Sequence, residues 1–172
     1  MKTTLYDITG PWPGRLAIAP RPRGGDWLVE DIEALRAAGV DVLVSTLAPD
    51  ERAELALVDE EQITRHAGLD FVSFPIEDRG VPASMPAVAQ LVQRVGLQLE
   101  DAKTVAIHCR SGIGRSSLLA AAILVAAGSG VDAAFEQIEE ARGLSVPDTP
   151  EQKDWVAGFA RSINARPERA AS

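Results

Sequence analysis

The chain is poor in the residues that form disulfides and metal sites. Its 172 residues include one cysteine and two histidines. A single cysteine excludes an intrachain disulfide and is typical of a protein in a reducing cytoplasm. One cysteine and two histidines are also too few for a typical structural zinc site. The sequence therefore predicts no metal and no cofactor.

Long apolar runs and excess basic charge are also absent. The longest apolar stretch, within residues 117–127, is shorter than the roughly 20 residues that a membrane span needs. No basic segment followed by an apolar signal sequence is visible. The formal net charge of −8 disfavours nucleic acid and anionic membranes as general partners. We therefore expect a soluble, cytoplasmic protein with one domain over residues 1–165 and a disordered tail over residues 166–172.

Alternating strand and helix patterns predict an α/β fold. Strand patterns occupy residues 15–19, 40–44, 69–74 and 104–107, and helical patterns occupy residues 26–38, 49–67, 84–99, 117–127, 131–142 and 150–164. This order predicts a mainly parallel central sheet that is flanked by helices on both faces. We expect Asp26 to cap the first helix. We also expect segment 49–67 to turn its acidic residues outward, with Leu55, Val58 and Ile63 inside.

The most informative run lies at residues 108–116 and reads His-Cys-Arg-Ser-Gly-Ile-Gly-Arg-Ser. It follows a predicted strand and precedes a predicted helix, so it lies at a strand carboxyl end, where open α/β sheets bind ligands. Its glycines permit a turn whose backbone N–H groups converge at the helix N-terminus, which attracts anions. Cys109 can supply a thiolate there. Arg115 supplies a planar fork for two phosphate oxygens.

This run resembles the active-site loop of the protein tyrosine phosphatase superfamily, in which His-Cys is followed by five residues, Arg, and Ser or Thr. The layout of the chain resembles the compact dual-specificity branch, in its bacterial form. The resemblance implies that Cys109 is the nucleophile, that Arg115 holds the phosphate, and that Ser116 stabilises the departing thiolate. We expect His108 to stiffen the loop. The expected phosphate-binding residues are Arg110, Ser111, Gly112, Ile113, Gly114 and Arg115.

A second segment resembles the general-acid loop of the same family. Residues 74–82 read Phe-Pro-Ile-Glu-Asp-Arg-Gly-Val-Pro. The resemblance assigns the acid to Asp78, with Glu77 as the competitor, and Gly80 could let the loop move.

Further downstream, Gln152 has two interpretations. It could orient the hydrolytic water, as a glutamine does in some relatives, or it could complete a capping box with Thr149, which the local pattern favours. Three arginines could border the phosphate pocket, although a scattered surface position is the simpler interpretation: Arg21, Arg23 and Arg79.

The resemblance implies a metal-independent phosphatase that hydrolyses phosphate monoesters through a phosphocysteine intermediate. The preferred substrate is a phosphorylated protein or peptide, with phosphotyrosine before phosphoserine or phosphothreonine. Two alternatives stay open. One is a phosphatase for a phosphoinositide, a nucleotide or an RNA 5′-phosphate, and the other is a catalytically inactive phosphate-binding module.

Overall fold

Five strands and seven α-helices form the framework of residues 2–164, which are the residues that the computed structural model describes. The elements are β1 (Tyr6–Ile8), β2 (Arg15–Ile18), α1 (Leu28–Ala37), β3 (Val42–Ser45), α2 (Pro49–Glu54), α3 (Glu60–His66), β4 (Asp70–Ser73), α4 (Met85–Glu100), β5 (Thr104–His108), α5 (Arg115–Ala126), α6 (Val131–Arg142) and α7 (Pro150–Asn164). The predicted tail at residues 166–172 lies outside the described residues.

The strands form one sheet in the order β1-β2-β5-β3-β4. Strands β2, β5, β3 and β4 are parallel, and only the edge strand β1 among the described strands runs antiparallel. The predicted mainly parallel sheet is therefore confirmed. Because the parallel strand β5 lies between β2 and β3, the loops that follow these three strands meet at the edge of the sheet formed by the carboxyl ends of the strands.

Helices cover both faces of the sheet because successive strand residues point to opposite sides. Val42 and Val44 pack in a core with residues of α4, α5, α6 and α7. Leu43 packs in a second core with residues of α1 and α3. Helix α5 is buried along nearly its whole length and fixes the position of the loop that precedes it. None of the helices in residues 2–164 has both the length and the apolar character that a membrane crossing requires.

Three local predictions are wrong. Asp26 does not cap α1, because it lies in a short 3₁₀ helix, Gly25–Trp27, and α1 begins at Leu28 without a side-chain cap. The helix predicted for residues 49–67 is two helices, α2 and α3, separated by a turn in which Ala56 has a φ of +55°. That turn buries Leu57 and leaves Val58 68% exposed, so Val58 is not a core residue.

The acidic residues of this segment are not all directed outward as predicted. Glu51 in α2 is 5% exposed, and Glu60 in α3 is 1% exposed. Carboxylates are seldom buried unless a cation or a set of hydrogen bonds compensates for lost hydration. Their partners flank the cysteine loop: Glu60 pairs with His108, the last residue of β5, and Glu51 pairs with Arg115, the first residue of α5.

Candidate active site

The loop after β5 brings the cysteine thiol to the N-terminus of a buried helix. Cys109 follows β5 directly, and its Sγ accepts a hydrogen bond of 3.1 Å from the backbone N–H of Gly112. Gly112 has a φ of +72°, which glycine adopts without the steric cost that other residues incur. The turn therefore directs a backbone N–H group at the sulfur.

Arg115 begins α5, and its guanidinium is almost fully engaged with protein acceptors. Its Nη1 donates to Glu51 Oε1 (2.5 Å) and to the carbonyl of Ile76 (2.9 Å). Its Nη2 donates to Glu51 Oε2 (2.9 Å) and to Asp78 Oδ1 (3.1 Å). A guanidinium carries five N–H donors. Among the described residues, the Nε–H is therefore the one donor of Arg115 that has no protein partner.

The charge of Arg115 is held firmly despite its burial. Burial acts to lower the pKa of this guanidinium, but the hydrogen bond to Glu51 and the negative charges of Cys109, Glu51 and Asp78 together raise it above its ordinary value. The cation that would meet a phosphate group is therefore permanent.

Glu51 is the residue that positions Arg115, and local sequence patterns did not single it out. Its Oε1 accepts the backbone N–H of Ala48 (3.1 Å), which ties the carboxylate to the first turn of α2. Burial acts to raise the pKa of Glu51, but the hydrogen bonds and charges of Arg115, with smaller contributions from Ala48 and Arg110, lower it overall. The partner lies 64 positions away in the sequence, so no local periodicity could indicate this pair.

We expect Glu51→Gln to reduce the free energy of unfolding by about 3 kcal/mol, because one partner of a buried ion pair is left without its counter-charge. Urea titration monitored by tryptophan fluorescence would measure this loss. Glu54→Gln is the matched control on the same helix, since Glu54 pairs with Arg110 and is 64% exposed. It should leave the transition midpoint nearly unchanged.

The effect of Glu51→Gln should also depend on pH. A carboxyl whose pKa is lowered in the folded state stabilises the fold above its unfolded value, here about 4.5. That contribution disappears as pH falls through the lower, folded-state pKa. The stabilities of the wild type and of Glu51→Gln should therefore converge in acid. A constant difference from pH 7 down to the acid transition would contradict this account of Glu51.

The segment after β4 places Asp78, the carboxylate that the resemblance assigns as the acid, next to Arg115. Backbone hydrogen bonds from Phe74 to Ser45 and from Ile76 to Thr46 hold the start of this acid loop (residues 74–82) against the end of β3. The carboxylate of Asp78 bonds Arg115 and is 52% exposed, so it stands between the cation and solvent.

The competing carboxylate, that of Glu77, is exposed and has no ion pair among the described residues. Arg79, which we considered as a pocket residue, is likewise exposed, with a φ of +59°.

Gln152 lies where the acid loop and the cysteine loop meet. Its backbone N–H donates to Thr149 Oγ1 (3.2 Å) and its Oε1 accepts the N–H of Thr149 (3.2 Å), so the capping interpretation is confirmed. Its Nε2 donates to the carbonyl of Gly80 in the acid loop (3.0 Å). A Cβ on Gly114 would lie only 2.9 Å from the Gln152 amide and 2.4 Å from Asp148 Oδ2. Glycine at position 114 therefore permits this close approach.

His108 is a buried, satisfied histidine, as expected of a residue that stiffens the loop. Its Nε2 lies 2.5 Å from Glu60 Oε1, and its Nδ1 lies 3.3 Å from the carbonyl of Cys109. Thr46 binds the backbone carbonyl of His108 through both its N–H and its hydroxyl. By contrast, Ser116 Oγ is buried and has no hydrogen-bond partner among the described residues.

Arg142 binds the outer side of the cysteine loop. The sequence patterns did not indicate this role. Arg142 ends α6 and donates to the carbonyls of Gly112 (2.9 Å) and Ser111 (3.3 Å). Its guanidinium lies 4.1 Å from the centre of the Tyr6 ring, a cation–π contact with β1. By holding two carbonyls outward, Arg142 helps the loop present its N–H groups inward.

The remaining arginines near the loop have different environments. Arg110 directs its side chain to Glu54 (3.0 Å), so it is engaged in an ion pair. Arg21 donates to the carbonyl of Arg110 (3.3 Å) and therefore does border the loop. Arg23 pairs with Asp31 (2.7 Å).

An α/β fold with a cysteine loop, a buried arginine and a carboxylate from a neighbouring loop is the arrangement expected of the protein tyrosine phosphatase superfamily. A protein-family model described as "Tc-R-P: Polymorphic toxin system, DSP-PTPase phosphatase" matches residues 19–129. The chain belongs to this family, within the compact, dual-specificity-like branch of the protein tyrosine phosphatases.

The chain is also similar to individual proteins in sequence or in fold. The chain is 34% identical over 102 residues to mouse protein tyrosine phosphatase domain-containing protein 1, a match that covers 55% of this chain and 13% of the mouse protein. The fold is similar to that of kinase associated phosphatase with its catalytic-site cysteine changed to serine (TM-score 0.88, 18% identity, 96% of this chain and 98% of the other). It is also similar to PTPMT1 in complex with PI(5)P (TM-score 0.72, 19% identity, 88% and 93%).

Proposed function

We propose that this protein hydrolyses phosphotyrosine in proteins, without a metal, through a phosphocysteine intermediate. The observation that carries the proposal is the 3.1 Å bond between Arg115 and Asp78, which places the acid loop against the cysteine loop. A nucleophile, a phosphate-binding cation and a proton donor thereby meet at the N-terminus of α5. These are the three elements that phosphate monoester hydrolysis requires.

The chemistry proceeds in two displacements. The thiolate of Cys109 attacks phosphorus, the ester P–O bond breaks, and Asp78 gives its proton to the departing oxygen. The Asp78 carboxylate then takes a proton from water, whose oxygen attacks phosphorus and breaks the P–S bond. Inorganic phosphate leaves, and the thiolate of Cys109 is restored.

Other loop residues support these displacements. Loop N–H groups and the Arg115 guanidinium bind the phosphoryl oxygens in both steps. The free hydroxyl of Ser116 stabilises the departing sulfur, and Gln152 holds the acid loop beside the cysteine loop. The side chain of Arg110 is occupied by Glu54, so this residue contributes its backbone N–H to the phosphate site.

Cellular location follows from the same chemistry. The nucleophile is the only cysteine of the chain. It must stay reduced to act, and a reducing compartment keeps it so. The proposal therefore places the enzyme in the cytoplasm, with phosphorylated proteins rather than nucleic acid or membrane as partners.

A substrate panel in the presence of EDTA tests the proposed function. Release of inorganic phosphate would be measured from a phosphotyrosine peptide, a phosphothreonine peptide, a short-chain phosphoinositide and a 5′-phosphorylated RNA. We expect kcat/KM to be highest for the phosphotyrosine peptide, by about tenfold or more, because its phenolate is the better leaving group. Preference for the phosphoinositide or the RNA would contradict the assigned substrate. Binding without turnover of any monoester would identify a phosphate-binding module.

A further inference from the structure

A cavity lies beside the segment that follows β2. It has a volume of about 360 Å³, and its walls include Lys2, Tyr6, Pro20, Arg21 and Leu35. Arg21 also borders the cysteine loop, because it donates a hydrogen bond to the carbonyl of Arg110. The proposed reaction does not use this cavity.

The sheet topology explains why this cavity adjoins the active site. We call it the Arg21 pocket, and its lining residues are Lys2, Thr3, Thr4, Tyr6, Pro20, Arg21, Pro22, Arg23, Asp31, Ala34 and Leu35. Ile18 at the end of β2 is in register with Ile107 of β5, so Arg21 and Cys109 follow neighbouring parallel strands. Strand β1 is antiparallel and pairs Tyr6 with Ile18, which brings the segment before β1 to the same edge.

The Arg21 pocket is cationic in a chain with a net charge of −8. In the part of the chain that the structure describes, neither Arg21 nor Lys2 forms an ion pair with a carboxylate. Arg23 differs, because Asp31 binds it. Two such cations among the lining residues of a partly apolar cavity are suited to a negatively charged side chain.

We infer that the Arg21 pocket binds an acidic side chain of the substrate, one that lies within about three positions of the phosphotyrosine. Neighbouring strands are about 4.8 Å apart, and an extended peptide advances about 3.4 Å per residue, so such a residue can reach Arg21. This inference rests on the proposed function and assigns it a sequence preference, namely acidic phosphopeptides.

The shape and charge of the pocket favour a peptide over a multiply phosphorylated small molecule. Only two cations, Arg21 and Lys2, are unpaired among its described lining residues, and the pocket also contains the carboxylate of Asp31. A second or third phosphate group would need more positive charge than this. The exposed Pro20 and the half-buried Tyr6 instead provide apolar surface for a peptide.

The test compares two phosphotyrosine peptides that differ only in having Glu or Gln at the positions flanking the phosphotyrosine. For the wild type we expect kcat/KM to be about fivefold higher for the Glu peptide, the size of a well-formed exposed charge pair, and mainly through KM. The quantity compared is the ratio of kcat/KM for the Glu peptide to kcat/KM for the Gln peptide. Because this ratio is taken within each variant, any effect of a substitution on the cysteine loop cancels. The ratio should also fall as salt is added, since the pair is solvent-accessible.

Variants then locate the interaction. Arg21→Ala should bring the ratio close to one, and Arg21→Glu should invert it and favour a third peptide with flanking Lys. Lys103→Ala is the control, because Lys103 precedes β5 and lies at the opposite edge of the sheet. An equal fall of the ratio in Lys103→Ala would show a general field effect and overturn the assignment.

The remaining outcomes separate the inference from the proposed function. A wild type that hydrolyses the Glu and Gln peptides equally would overturn the pocket assignment while the phosphatase function stands. A wild type that hydrolyses no phosphopeptide would overturn the function itself. A preference for a bisphosphorylated inositol ring that depends on Arg21 would show that the pocket takes a second phosphate, against the peptide assignment.

Discussion

Replacing Cys109 with serine is expected to lower turnover of a phosphotyrosine peptide by about 10⁵-fold or more, the scale of a lost nucleophile. A serine hydroxyl remains protonated at neutral pH, and the N–H of Gly112 that stabilises the sulfur cannot by itself ionise it. Binding should survive, since the loop N–H groups and Arg115 are untouched. Isothermal titration with the phosphopeptide measures binding, and phosphate release measures turnover.

A second substitution separates the nucleophile from the phosphate site. Arg115→Lys should also abolish turnover, but it should weaken binding as well. An ammonium group can neither match the two oxygens of Glu51 nor offer a planar fork to phosphate. Near-normal turnover by either variant in the presence of EDTA would exclude the phosphocysteine mechanism.

Replacing Asp78 with asparagine is expected to reduce kcat by roughly 10²–10⁴-fold, the usual contribution of a general acid. The loss of kcat should be large for a substrate whose alkoxide or phenoxide is a poor leaving group. It should shrink for an activated aryl phosphate, whose leaving group hardly needs a proton. A series of aryl phosphates with graded phenol acidity measures this dependence as the slope of log kcat.

Glu77→Gln provides the control for Asp78. It removes a carboxylate from the adjacent position, but one that is exposed and makes no ion pair among the described residues. Its effect on kcat should therefore be small for every leaving group. A uniform loss for Asp78→Asn across the series, or a greater loss for Glu77→Gln, would contradict the assignment of the acid.

Local sequence signals were sufficient for the framework of the fold and for the central loop. Strand β5, the run at 108–116 and helix α5 form a contiguous pattern, and the helices α6 and α7 have the predicted bounds. Ser84, where the helical pattern at 84–99 begins, caps α4 by accepting the N–H of Ala87. Each of these features is specified by residues within one turn or one strand.

The residues that support the loop could not be found in this way. Glu51 and Glu60 occur in an acidic stretch that reads as a solvated surface, and their partners lie 64 and 48 positions away. Arg142 looks like an ordinary basic residue at a helix C-terminus, although it contacts carbonyls 30 and 31 positions before it. Strand β1 was missed because its three residues depend on pairing with β2 rather than on a pattern of their own.

The hydrogen bonds of Arg115 have a consequence for every oxyanion that enters the site. Phosphate needs two donors from the guanidinium, and Nε offers only one, so one Nη bond must be exchanged. Glu51 is buried and accepts two donors, and the carbonyl of the buried Ile76 accepts a third, whereas Asp78 is half exposed and accepts one. Asp78 is therefore an intramolecular competitor of the ligand, present at a high effective concentration because it is tethered. The same exchange that seats a phosphate group on Arg115 releases Asp78 from it, so the carboxyl group becomes free to act when the site is occupied.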